Sequence, residues 1–118
     1  MTMTLEEFLS GEPQGAVAMF RGFRDLVLAA GESEERVHPT EVAWARRRVF
    51  AAAFLKSGRL EIAIDLLREA SHPLLLQAFP TTKKVVTHRL TISDPGQLDG
   101  SIAALLDEAW ATVGPGTR

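Results

Sequence analysis

The 118-residue chain contains no cysteine. Disulfides and thiolate metal sites are therefore excluded, and a reducing, cytoplasmic setting is expected. It also lacks a long apolar run. No stretch approaches the roughly 20 residues of a membrane-spanning helix, so no membrane role is expected. There is no excess of positive charge. Thirteen Lys and Arg against fifteen Asp and Glu leave a formal charge of −2, which gives no general pull toward nucleic acid or anionic lipid. Aromatic residues are sparse, at 7%. The opening residues, Met1 to Glu7, have neither a basic stretch nor an apolar core, which argues against a secretory leader. A Walker loop, a dinucleotide glycine fingerprint and a nucleophile elbow are all absent from the sequence.

What is present is ordinary globular material, with 46% hydrophobic and 24% charged residues. That length and composition suit one domain over residues 1–118, large enough to bury a core without covalent staples. The stretch Ala45 to Leu67 organises it. Leu60, Ile62, Ile64 and Leu66 alternate with Glu61, Ala63 and Asp65, the period-2 mark of a half-buried strand. Arg46 to Leu55 supplies the preceding arm, with Phe50 and Phe54 as its large ends around Ala51 to Ala53, and Gly58 stands where a tight hairpin connection requires positive φ. Thr40 to Leu55 followed by Gly58 to Ala70, rich in Ala, Leu, Glu and Arg, also reads as two helices joined at Ser57-Gly58, in the manner of a tetratricopeptide unit. Such units need about three stacked copies to bury their faces, and the sequence holds no second copy.

Around this hairpin the chain punctuates itself. Thr4 and Glu7 form a capping box, so a short helix is expected over residues 5–10, stopping at Gly11. Pro13 suits the first turn of a second helix, whose apolar stripe is Val17, Phe20, Phe23, Val27 and Ala30 and which ends at Gly31. Glu32 to Glu35 reads as a polar connection. Arg36 to Ala45 reads as one edge strand, because Pro39 cannot donate to a central ladder, with His38, Thr40, Val42 and Trp44 on one face. Leu74 to Phe79 is expected to be a helical turn or covering loop. Val85 to Ile92 is the clearest strand, with Val86, His88, Leu90 and Ile92 on one side. Asp94, Pro95 and Gln97 repeat the capping logic before a last helix through Leu98, Ile102, Leu105, Leu106, Ala109 and Val113. Residues 114–118 are expected to be a disordered tail. The expected fold class is α+β: two N-terminal helices, an antiparallel sheet of about four strands around the central hairpin, and a C-terminal helix packed on the sheet.

The segment Val37-His-Pro-Thr-Glu-Val-Ala-Trp-Ala-Arg-Arg-Arg-Val-Phe50 resembles the first strand pair of an uncharacterised bacterial domain, domain-of-unknown-function family 5655. Its pattern is a strand ending in a small residue and Phe or Trp, then basic residues, then a Phe-Ala strand. Val86-Thr-His88-Arg-Leu90, Asp94-Pro95, Leu98-Asp99 and the Leu105 to Trp110 helix continue the likeness over nearly the whole chain. Position 39, where the family pattern has lysine or a similar residue, is Pro here. The resemblance implies an α+β fold with an antiparallel sheet. It implies no activity, although in larger proteins such domains look like accessory modules beside others, some nuclease-like.

Four groups of residues are candidates for a working surface. Arg46-Arg47-Arg48, with Lys83, Lys84 and Arg89, offers a phosphate-contacting patch or a solvated strand end that blunts an edge. His38, His72 and His88 match no metal spacing, and His88 on the apolar face suits a buried, hydrogen-bonded imidazole. Glu61 and Asp65 lie about 13 Å apart along a strand, too far to share a proton. Trp44, Phe50, Phe54 and Ala51 to Ala53 make both faces of the hairpin apolar, with Phe50, Ala52 and Phe54 expected on one side. If helices cover one side only, the other meets a second copy, a partner or a ligand; alternatively the two longer helices and the Leu74 to Phe79 segment together cover both sides.

The expected function is therefore a non-enzymatic interaction module that self-associates or binds a protein partner through its sheet. One alternative is a nucleic-acid-associated accessory domain using Arg46 and Arg48. Another is a small-ligand-binding protein or enzyme with a pocket near Trp44 and His88. The candidate binding residues are Trp44, Arg46, Arg48, Phe54 and His88. No catalytic residue, metal or cofactor is expected.

Overall fold

A computed structural model describes residues 3–116. Three helices, α1 (Leu5–Leu9), α2 (Gln14–Ala30) and α3 (Gly100–Thr112), accompany six strands: β1 (Glu34–Val37), β2 (Val42–Ala45), β3 (Val49–Lys56), β4 (Arg59–Leu66), β5 (Leu75–Pro80) and β6 (Val86–Ile92). All neighbouring strands are antiparallel, in the order β1-β2-β3-β4-β6-β5. The α+β class, the antiparallel sheet and helices at both ends match expectation; six strands replace about four.

The central hairpin follows from its sequence. Ser57 and Gly58 both take positive φ, 51° and 74°, joining Lys56 to its partner Arg59 in the two-residue turn whose twist fits a β-hairpin. Leu60, Ile62, Ile64 and Leu66 are fully buried on one face. Phe50 is not where simple alternation puts it. Trp44 pairs with Ala51 but Ala45 pairs with Val49, so one extra residue bulges from β3. The bulge turns Phe50 into the helix-side core and Val49 to the opposite face, because an inserted residue inverts the alternation beyond it.

The flanking elements differ from expectation in instructive ways. The Arg36 to Ala45 segment is a hairpin rather than one edge strand. Pro39 lies in its turn, closed by the His38 N–H donating to the Glu41 carbonyl at 2.8 Å. Glu34 and Glu35, expected in a connection, begin β1. Leu75 to Pro80 is an edge strand, not a helical turn or loop, and Pro80 is tolerated because it sits at that edge.

α1 is capped by Thr4 and Glu7 and ends one residue earlier than expected. Pro13 precedes the first turn of α2 instead of occupying it. The Asp94–Gln97 capping box closes a separate 3-10 turn over Pro95–Gln97, and α3 starts afresh with Asp99 accepting from the Ser101 and Ile102 amides. Of the expected frayed tail, Gly114 is buried, and its carbonyl accepts from Arg47 and Arg48 N–H at 2.9 and 3.1 Å. Thr117 and Arg118 lie outside the described residues.

The helices pack on one face of the sheet. The main core joins Phe8, Phe20, Phe23, Val27, Ile102, Leu106 and Ala109 from the helices to Trp44, Phe50, Ile62, Ile64, Leu90 and Ile92 from the strands. Trp44 is its centre, 5.8 Å from the Phe23 ring and 6.1 Å from Phe20. α3 carries its own stripe, Ile102, Leu106 and Ala109, onto β3 and β4.

Candidate functional site

The opposite face of the sheet carries a second apolar cluster to which no helix contributes. Ala43, Ala52 and Ala63 are directly paired across β2, β3 and β4, and Val49 and Phe54 pack against them. Three alanines in a row form a low floor, since a methyl group stands far below its larger neighbours. Phe54 rises beside that floor. Arg89, opposite Ala63, lays its guanidinium 4.4 Å from the Phe54 ring and donates to Glu61 at 3.1 Å. On the other side Arg48 faces Asp65 at 3.8 Å. Thr87 donates to Asp65 at 2.7 Å, and Thr81 bonds Thr87 in turn. Burial raises the Asp65 pKa above the ordinary aspartate value, against the opposing pull of the Thr87 bond and the Arg48 charge. The face is thus a buried row of three alanines, with the partly exposed Val49 and Phe54 packed against it and two pairs of opposite charge beside it.

Phe54, Arg48 and Arg89 belong to this face, together with Ala52, Glu61 and Asp65; Trp44, Arg46 and His88 do not. Trp44 is sealed in the core, its indole N–H donating to Glu35 at 2.9 Å, while Arg24 grips the same carboxylate at 2.6 Å. Glu35 carried no sequence signal except that a buried indole N–H needs an acceptor. His88 is 2% exposed. It accepts from the Ala70 N–H at 2.8 Å, and its other ring nitrogen lies 3.2 Å from the Ile64 carbonyl, which defines an Nδ1-protonated ring with both nitrogens satisfied. Neither Trp44 nor His88 lines the clefts described below.

The arginine triplet does not form one patch. Arg46 lies over the Trp110 indole at 3.9 Å and donates to the Trp110 carbonyl at 3.1 Å, capping the C-terminal end of α3. Arg48 turns to the outer face toward Asp65, and Arg47 remains exposed between them.

Two clefts flank the β1 edge. One, of about 720 Å³, is lined by Glu32, Glu34, Arg46 and Trp110 among others; the second, of about 470 Å³, by Met3, Glu34, Val37 and His38. Among the described residues, no group of three or more His, Asp or Glu side chains is placed to hold a metal ion. No helix of the described chain is long and apolar enough to cross a membrane.

The nearest approach to a nucleophile with a base is Ser101 beside His72, at 2.8 Å. Its hydrogen bonds run the wrong way for nucleophilic catalysis. The Leu74 N–H occupies His72 Nδ1, so a neutral ring carries its proton on Nε2 and donates to Ser101; Ser101 in turn donates to Asp99, the α3 cap. The trio fixes the start of α3.

Among known families, the sequence model of one described as Domain of unknown function (DUF5655) matches residues 5–113. No curated protein and no solved structure matches the chain.

Proposed function

The chain belongs to the DUF5655 family, whose description attaches no activity, and we propose that it is an interaction module that self-associates through the helix-free face of its sheet. One observation supports this above all: the separate apolar cluster of Ala43, Ala52, Ala63, Val49 and Phe54, to which no helix contributes. A two-fold interface lets each copy present the same apolar residues to the other. The partly exposed Phe54 and Val49 of the two copies meet over the buried alanine row, at the roughly 10 Å spacing of packed sheets. The charges suit the same arrangement, because Arg48, Arg89, Glu61 and Asp65 balance on one face and can exchange partners across a two-fold axis.

The test is sedimentation velocity on the wild type, Ala52→Arg and Phe54→Ser. Concentration-dependent sedimentation is expected for the wild type, and a monomer with unchanged circular dichroism for both variants. A wild type that stays monomeric at millimolar concentration overturns self-association.

A further inference from the structure

β1 is one of the two outermost strands, and the sheet treats its two edges differently. β5 is blunted by a register shift between Leu75 and Gln77 and by Pro80. Both are devices that prevent further pairing. β1 has neither: its register with β2 is unbroken from Glu34 to Val37. The directions of its backbone groups follow from the turn. The His38 N–H donates to Glu41, so the alternation of an antiparallel ladder makes Arg36–Ala43 and Glu34–Ala45 the mutually bonded pairs. The N–H and C=O groups of Glu35 and Val37 therefore face away from β2, along the outer edge. The two clefts flank that edge and share Glu34.

The edge segment is acidic: residues 32–41 hold Glu32, Glu34, Glu35 and Glu41 against Arg36. Arg46 also lines the Trp110 cleft, but it is turned onto the Trp110 ring and donates to the Trp110 carbonyl. Glu35 is matched by Arg24 and Glu34 by Arg36, while among the described residues Glu32 and Glu41 enter no ion pair. We propose that β1 is a docking edge for an extended peptide bearing lysine or arginine, which adds as a seventh strand. Main-chain bonds to Glu35 and Val37 supply the pairing, and a basic side chain reaches Glu32, the carboxylate there that enters no ion pair among the described residues, in the cleft beside Trp110. Edge-to-edge pairing of two copies of β1 would instead oppose two acidic segments. The inference concerns a different surface from the sheet face and stands whether or not the chain self-associates.

The experiment uses the isotope-labelled full chain with acetyl-Lys-Val-Lys-Val-Lys-Val-amide, its glutamate counterpart, and the lysine peptide N-methylated at alternate residues. Hydrogen exchange at the Glu35 and Val37 amides is expected to slow about tenfold with saturating lysine peptide. Neither the glutamate nor the N-methylated peptide should protect them. Glu32→Lys should weaken binding about threefold, the scale of one exposed ion pair. Trp110 fluorescence gives a second readout, because the other tryptophan, Trp44, is sealed in the core. Unaltered exchange at millimolar lysine peptide overturns the proposal, as does equal protection by the glutamate or N-methylated peptide.

Discussion

In the β4–β6 ladder His88 pairs with Ile64, and Asp65 pairs with Thr87 in the next position, so His88 and Asp65 point to opposite faces. His88 serves the core. Replacing it with leucine keeps the volume but leaves the buried Ala70 N–H without a partner, at a cost of about 1–3 kcal/mol. Urea denaturation of His88→Leu should show that loss with an unchanged m-value. Asp65 serves the open face, and burial raises its pKa. A carboxyl with a raised folded-state pKa holds its proton more tightly when folded. Its contribution to stability is full below the ordinary aspartate value and is lost as pH rises through the folded value. Glu108 behaves oppositely: Arg68, at 2.8 Å, lowers its pKa, so its contribution is present above the ordinary glutamate value and lost on acidification. Denaturation from pH 3 to 7 should therefore show the stability of the wild type relative to Asp65→Asn falling as pH rises, and relative to Glu108→Gln rising. The burial of His88 was legible from strand alternation. Its partners were not, because Ala70 lies 18 residues away in an irregular link.

At the scale of elements, the ends matter more than the middles. Gly31, with φ 152°, ends α2 with the Trp110 indole pressed against it, so close that an added Cβ would fall 2.3 Å from the ring. The indole N–H reaches the Glu32 carbonyl at 2.9 Å, and Arg46 closes over its face. The contact ties α2, β2 and α3 together. Gly31→Ala must displace the ring and strain the backbone, and a loss of about 1–3 kcal/mol is expected, the range for forced overpacking. Near-ultraviolet circular dichroism should change with it, since Trp110 is one of only two tryptophans. Sequence patterning located β3, β4, β6 and the helices, where apolar residues repeat at one clear period. It did not locate β1 and β5. Glu34-Glu35-Arg36-Val37 and Leu75-Leu76-Gln77-Ala78 carry no clean alternation, because an edge strand gains its conformation from the neighbour it pairs with. The bulge at Phe50 was equally silent, since Val49 and Phe50 are both apolar and either can be turned inward.

At the scale of the molecule, the three helices of the described residues lie on one face of six strands, so the folding core and the proposed association surface are on opposite sides of the sheet. The core that closes the fold lies between helices and sheet, and the cluster proposed to associate lies behind it. The two are predicted to be separable. The thermal midpoint of the wild type should rise with protein concentration, because association stabilises the folded state by mass action. The midpoint of Ala52→Arg should not. Scanning calorimetry at two concentrations a hundredfold apart distinguishes them.

Local pattern by itself placed a break at Ser57-Gly58 and a face of Leu60, Ile62, Ile64 and Leu66, and the resemblance to the family added the antiparallel α+β sheet, which the pattern alone left open against a two-helix reading. The break and the face depend on neighbours within a few residues, where alternation and turn geometry act directly. Which face the helices cover, where Phe50 points, and how Arg46 and Arg48 come to serve separate ends of the sheet were decided only by tertiary structure. Each depends on contacts between segments far apart in the chain, and the arginine triplet that looks continuous in sequence is split by the bulged strand that follows it.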